Sequence, residues 1–183
     1  MADLEARLQR FVGREAEPRR TARYRVNDAM IRNWVEALDD YNPVYIDRAA
    51  AVETGRDTVV CPPAMVSTWV MSGLRRYREV QALRARGEAE PSAYSEMLGL
   101  LDAHGFTAVV ATDVEQDYAR EIRPGDHVVA DYLIESVSGR KSTALGDGHF
   151  ITLAKTYLES ETGDVLCTER FRLLRYAPTA AAQ

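Results

Sequence analysis

The stretch TVVCPPAMVSTWVMSG, residues 58–73, decides how the rest of the chain is read. Pro62 and Pro63 block a helix before them, because proline lacks a donor N–H and pushes its predecessor toward extended backbone. Pro63 itself suits a first helical position. Beyond it Ala64, Met65, Val66, Trp69, Val70 and Met71 make 64–71 apolar on almost every face. A helix apolar all round is a buried helix. The 183 residues give room for one domain, so something within that domain must wrap around this segment.

The wrapping comes from downstream. FTAVVATDVEQDYAREI (106–122) is long enough for one bent strand. RPGDHVVADYLIESVSGR (123–140) places a turn at Pro124-Gly125-Asp126 before a second strand. KSTALGDGHFITLAKTYLES (141–160) starts a third, with Gly146 and Gly148 marking a bulge or a close backbone approach. ETGDVLCTERFRLLRY (161–176) follows a Thr-Gly-Asp turn as the last strand. Four strands joined by short turns predict an antiparallel meander, one face of which must be covered. The expected class is α+β: a curled antiparallel sheet around one central buried helix.

Upstream, Leu4, Leu8 and Phe11 recur at helical spacing until Gly13. RRTARYRV (19–26) reads as a strand with Ala22, Tyr24 and Val26 on one face. Asn27 caps a helix through Leu38, striped by Met30, Ile31, Trp34, Val35 and Leu38. The loop DDYNPVY (39–45) follows, and Asp47 caps a short helix that stops at Gly55. Residues 73–105 read as an inserted helical hairpin or lid. Leu74, Tyr77 and Leu83 give its first half only a thin apolar stripe among Arg75, Arg76, Arg78, Arg84 and Arg86. Pro91 breaks that pattern, and Ser92 caps a helix carrying Met97, Leu98, Leu100 and Leu101. APTAAAQ (177–183) reads as a frayed tail beyond a single domain over 1–176.

Composition narrows the partners. A formal charge of −5 leaves no basic excess for nucleic acid or an anionic membrane. No apolar run approaches the roughly 18 residues a membrane helix needs. MADLEARLQRFVG, with Asp3 and Glu5, lacks the basic start and apolar centre of a signal peptide, so a cytoplasmic location is expected. Cys61 and Cys167 have neither a CxxC neighbour nor a histidine at metal spacing, and are read as reduced core residues. His104, His127 and His149 read as surface or satisfied core histidines. The arginines at 75, 76, 78, 84 and 86 read as a solvated helix face, with the phosphates of coenzyme A as the alternative.

Four stretches carry a family resemblance: MIRNWVEALDDYNPVYID (30–47), VVCPPAMVSTWVM (59–71), EQDYAREIRPGD (115–126) and KTYLESETGDVLCTERFRLLRY (155–176). The chain resembles the MaoC-like (R)-specific enoyl-CoA hydratases and dehydratases of the hotdog superfamily, in their N-terminal-half type. The first two stretches most resemble the hotdog half of the heteromeric hydratase that actinobacteria use on steroid side chains. The resemblance implies a hotdog fold and addition of water to a trans-2-enoyl-CoA. It implies no metal and no organic cofactor, coenzyme A entering only as part of the substrate. The family pattern Asp-x-Asn-Pro-x-His falls on Asp40, Asn42, Pro43 and Tyr45, so tyrosine replaces the histidine. The family's backbone oxyanion donor falls near Ala64 or Met65, which with Asn42 are the expected substrate-binding residues.

Tyr45 alters the expectation. A phenol has a reference pKa near 10 against about 6.5 for imidazole, so at neutral pH it donates a hydrogen bond but rarely accepts a proton. The catalytic pair is therefore broken in this chain, and Asp40 is either a remnant of it or a solvated loop acid. Room for a single hotdog means a site shared with another subunit. That subunit is either a MaoC-like partner with an intact Asp and His or a second copy of this chain. The alternatives are a non-catalytic acyl-CoA-binding hotdog protein and an acyl-CoA thioesterase.

Overall fold

The structure, a computed structural model, describes residues 2–88 and 91–178, with the Ala2 side chain left out. Of the expected frayed tail, 177–183, residues 179–183 lie outside the described residues; Ala177, its first residue, donates its N–H to the Asp147 carbonyl at 2.9 Å. The elements run α1 (Ala2–Gln9), β1 (Glu15–Thr21), α2 (Asp28–Leu38), α3 (Pro43–Ile46) and α4 (Arg48–Glu53). A 3-10 turn (Pro63–Met65) leads into α5 (Val66–Trp69), followed by α6 (Gly73–Ala85) and α7 (Ala93–Ala103). The strands β2 (Ala108–Tyr118), β3 (Val128–Val137), β4 (Lys141–Thr143), β5 (Gly146–Glu159) and β6 (Val165–Tyr176) complete the chain. Among the described residues no helix is long and apolar enough to cross a membrane.

Local chemistry sets the helix ends as expected. Asn27 accepts the Met30 N–H at 3.0 Å, Ser92 accepts the Ser95 N–H at 3.1 Å, and Asp47 accepts the Ala49 N–H at 2.8 Å. Each satisfies one of the N–H groups that the first helical turn leaves unpaired.

The sheet is antiparallel throughout but is not a simple meander. Its order is β1-β3-β5-β6-β2, with β4 folded back onto β5. β2 pairs with β6, from Ala108↔Tyr176 to Tyr118↔Cys167, and not with β3, which follows it in sequence. The link 119–127 keeps the expected turn at Pro124-Gly125-Asp126, closed by the Asp126 N–H on the Arg123 carbonyl at 3.1 Å, but does not join β2 and β3 as a hairpin. Arg120 grips Asp126 through two hydrogen bonds of 2.8 and 3.0 Å, and the Cys61 N–H bonds the Ile122 carbonyl at 2.8 Å, so the link is held as a wall of its own. β6, paired on both sides, is an interior strand, which accounts for the burial of Leu166, Leu173 and Leu174.

Three further expectations are corrected. The first strand is Glu15–Thr21, not 19–26. Pro18 is tolerated there because β1 is an edge strand, paired only with β3. Residues 22–26 keep isolated backbone bonds: Ala22 N–H to the Val128 carbonyl and Val26 N–H to the Asp126 carbonyl, each 2.8 Å, and Gly125 N–H to the Val26 carbonyl at 2.9 Å. Ala22 and Val26 are buried as expected, but Tyr24 is 69% exposed. The third long strand does not begin at Lys141: a Thr143–Gly146 turn, closed by Thr143 Oγ1 to the Gly146 carbonyl at 2.7 Å, splits off β4. Gly148 does mark a close approach, since a Cβ there would lie 2.3 Å from the Arg175 carbonyl oxygen.

The central helix is the third correction. It spans only 63–69 and is not buried all round. Met65, Val66, Trp69 and Val70 are buried, while Ala64 and Ser67 are exposed and Met71 is 66% exposed. The buried four recur at i, i+1, i+4 and i+5, one stripe of a helix. The remaining cover of the core comes from Leu4 and Leu8 of α1, Ile31 and Val35 of α2, and Met97 and Leu101 of α7. Gly73, at φ +67, ends any continuation into α6, and a Cβ on it would meet the Arg23 guanidinium at 2.5 Å.

Candidate functional site

The residues of DDYNPVY are placed by two successive caps. Asp39 closes α2 in the left-handed region, at φ 55, and the Asp40 N–H returns to the Val35 carbonyl at 3.1 Å. Asn42 then caps α3, its side chain accepting the Val44 N–H at 3.3 Å, with Pro43 as first helical residue. This single turn aims Tyr45 inward against the core. The Val60 N–H bonds the Val44 carbonyl at 3.2 Å and so ties the approach to the central helix onto α3.

Between these segments lies a cleft of about 320 Å³. Asn42 and Tyr45 line one wall, Cys61 and Pro63 the floor, and Tyr118 with Glu121 the opposite wall. Tyr118 reaches the Pro63 carbonyl at 2.7 Å and the Gln116 side-chain oxygen at 2.8 Å, its one proton serving either. Gln116 passes on to Glu169 at 2.7 Å, which is buried against Lys155. Arg56 crosses the cleft margin to hold Glu121 at 2.7 Å.

Asp40 is exposed on the turn after α2 and is not among the residues lining the cleft. One site expectation needs correction. Met65 is not an open donor: the 3-10 turn directs its N–H to the Pro62 carbonyl at 3.0 Å, and its side chain is fully buried. Ala64 is exposed at the same helix start, and its N–H has no acceptor among the described residues.

The acid–base inventory is poor. Burial, and after it the nearby charge of Asp40, raise the Tyr45 pKa, so the phenol stays protonated at neutral pH. Burial likewise raises Tyr118. The Cys61 thiol is pushed up to about 12, mainly by burial, and accepts the Trp69 indole N–H at 3.3 Å, which leaves it inert as a nucleophile. None of the three histidines lines the cleft. His149 is buried against the Ser138 carbonyl at 2.9 Å, His127 sits on the Ala22 carbonyl at 2.8 Å, and His104 on the Leu100 carbonyl at 2.8 Å. No group of three or more His, Cys, Asp or Glu among the described residues is placed to hold a metal ion. The cleft can hold a polar group and donate hydrogen bonds; the one carboxylate among its described lining residues, Glu121, is engaged by Arg56, and no histidine lines it.

Residues 10–169 match the family described as "FAS1-like, dehydratase domain region". The chain belongs to that family of FAS1-like dehydratase domains. It is 46% identical over 182 residues, 99% of its length, to a "Probable enoyl-CoA hydratase alpha subunit" of Thermomonospora curvata. It is 37% identical over 163 residues, 88% of its length, to the "3-oxo-4,17-pregnadiene-20-carboxyl-CoA hydratase alpha subunit" of Mycobacterium tuberculosis. The chain spans 54% and 48% of these two proteins, about half of each. A chain of the crystal structure of the ChsH1-ChsH2 complex from Mycobacterium tuberculosis superposes with a TM-score of 0.82 at 33% identity, over 99% of this chain and 95% of that one. The dehydratase-domain chain thus has the hotdog fold that its sequence resemblance implies.

Tyr118 and Glu121 were missed as site residues, although both fall inside a stretch that carries the resemblance. A tyrosine at a strand end has no local mark separating it from a packing residue. Only the β2–β6 pairing brings it opposite Tyr45.

Proposed function

We propose that this chain is the substrate-holding subunit of a heteromeric enoyl-CoA hydratase, whose proton-transfer residues stand on a second MaoC-like hotdog subunit. The observation that carries the reading is the cleft itself: Tyr45, on which the resemblance puts the family histidine, lines it, and Asp40 lies outside the lining. The names of the relatives, both alpha subunits of hydratases, and the two-protein complex among the similar structures support it.

In this reading the partner's base takes a proton from water as the oxygen bonds to the β-carbon of a trans-2-enoyl thioester. Negative charge moves to the thioester oxygen and returns as the α-carbon is protonated. The exposed Ala64 N–H is the donor for that oxygen, fixed beforehand by the helix start. Asn42 shapes the wall that holds the thioester, Tyr45 closes it, and Asp40 is a remnant. No metal and no organic cofactor take part, and coenzyme A arrives with the substrate. The central helix has only two turns, and Val114 on edge strand β2 leaves an apolar side chain 58% exposed. That open apolar surface suits a bulky acyl group such as a steroid side chain. Cytoplasmic location belongs to the same reading.

A second reading, a non-catalytic acyl-CoA-binding protein, draws on the same lack of a histidine and of Asp40 in the lining. Co-purification with a small MaoC-like protein carrying Asp and His, followed by loss of enoyl-thioester absorbance, separates the two. Turnover is expected from the pair and not from this chain alone, since a positioned acid or base contributes about 10²–10⁴-fold. Turnover by the chain alone at the rate of the pair overturns the shared site. Release of free thiol instead of hydration identifies a thioesterase.

A further inference from the structure

A second and larger concavity, about 710 Å³, opens at the other end of the central helix, between edge strand β1 and α6. Arg19, Arg20, Arg23, Arg76 and Arg84 line it, against Glu17 as the one acid among its described lining residues. Five cations converge here on a chain of formal charge −5. Three are steadied by acids: Arg19 by two 2.6 Å hydrogen bonds to Asp131, Arg20 by Glu17, and Arg76 by Glu79 at 3.5 Å. Arg23 is held by the Ser72 carbonyl. Neither Arg23 nor Arg84 has an acidic partner among the described residues, so the groove keeps an excess of positive charge.

The surface between the arginines is apolar, with Val70 and Val80 beneath and the Tyr77 ring 60% exposed. α6, which supplies one side of it, buries no residue of its own. Clustered guanidiniums beside an open aromatic ring suit a ligand with several phosphate oxygens and a flat aromatic body. They do not suit a neutral ring system.

The geometry points to this groove as the seat of the 3′-phosphate, diphosphate and adenine of a coenzyme A thioester, with the adenine against Tyr77. The inference rests on the acyl-CoA reading above and adds where the anionic end of that substrate lies. The helix separating the groove from Ala64 is seven residues long, so about 10 Å. That span is within reach of the pantetheine arm.

Calorimetric titration of the full chain with adenosine 3′,5′-bisphosphate tests it, with inorganic phosphate and ADP as competitors. Arg84→Gln and Arg23→Gln each weaken the bisphosphate about tenfold, the scale of one lost charge-assisted contact. Tyr77→Ala weakens it severalfold, and raised salt weakens it throughout. Unchanged thermal melting shows that the exposed Arg84 variant keeps its fold. Bisphosphate affinity indifferent to both arginines overturns the proposal, and so does equal competition by inorganic phosphate, which marks a general anion site. The two readings fail separately. Arginine-dependent bisphosphate binding with no hydration by any pair removes the hydratase and keeps the groove. Hydration by the pair with KM unchanged in Arg23→Gln and Arg84→Gln removes the groove and keeps the hydratase.

Discussion

The two helices of the 73–105 segment, alike in length, are opposite in kind. α7 buries Ala93, Met97 and Leu101 and is pinned at its far end by Arg175, which reaches Asp102 and bonds the Phe106 carbonyl at 2.9 Å. α6 buries nothing, leaves Leu74 and Tyr77 open, and presents arginines to the groove beside β1. The difference teaches that an apparent insert can be half core and half surface. α7 stabilises the fold, whereas α6 lies on the surface and buries no residue of its own.

Substitutions can break that division. The largest effect is expected from Met97→Ala, which removes a fully buried side chain and costs about 2–5 kcal/mol, read as a lowered urea midpoint. Arg175→Met comes next, at about 1–3 kcal/mol, because it strands the Phe106 carbonyl while Asp102, half exposed, recovers solvent. A loss from Leu74→Ala as large as that from Met97→Ala would erase the distinction between the helices.

A pH series calibrates the scale away from both helices. Glu159 accepts backbone N–H groups from Glu161 at 2.7 Å, Thr162 at 2.8 Å and His127 at 3.2 Å, and these hold its carboxyl down at about 2. Its folded value lies below the unfolded one, so the stabilisation is complete above the ordinary carboxylate pKa of about 4.3 and is lost as pH falls toward 2. The difference in urea midpoint between the wild type and Glu159→Gln is expected to be flat from pH 7 to 5 and to shrink below 4. A difference that grows on acidification has the wrong sign. The smallest effect belongs to Leu74→Ala, within about 0.5 kcal/mol by thermal melting, as expected for an exposed position.

What the sequence made legible was mostly local. Asn27, Asp47 and Ser92 mark helix starts because a side-chain oxygen three residues or fewer from an unpaired N–H needs no tertiary context. The pairing of β2 with β6 was not legible, since either neighbour satisfies β2's own pattern and only the folded sheet decides. The central helix was overestimated for a related reason: Met71 and Ala64 look like core residues until the sheet leaves their side open. At the site, Asn42 and Tyr45 came from one contiguous motif. Tyr118 comes from a distant strand, and Arg19, Arg20 and Arg23 lay in a segment read for its apolar face.

Gly73 ties two of these observations together across fifty residues of chain. The space that its missing side chain leaves is filled by the Arg23 guanidinium, which grips the Ser72 carbonyl where the helix breaks. Positions 23 and 73 are therefore not independent coordinates for evolution. A side chain at 73 would be strained by the positive φ and would push the Arg23 guanidinium off the Ser72 carbonyl, shifting one cation of the groove.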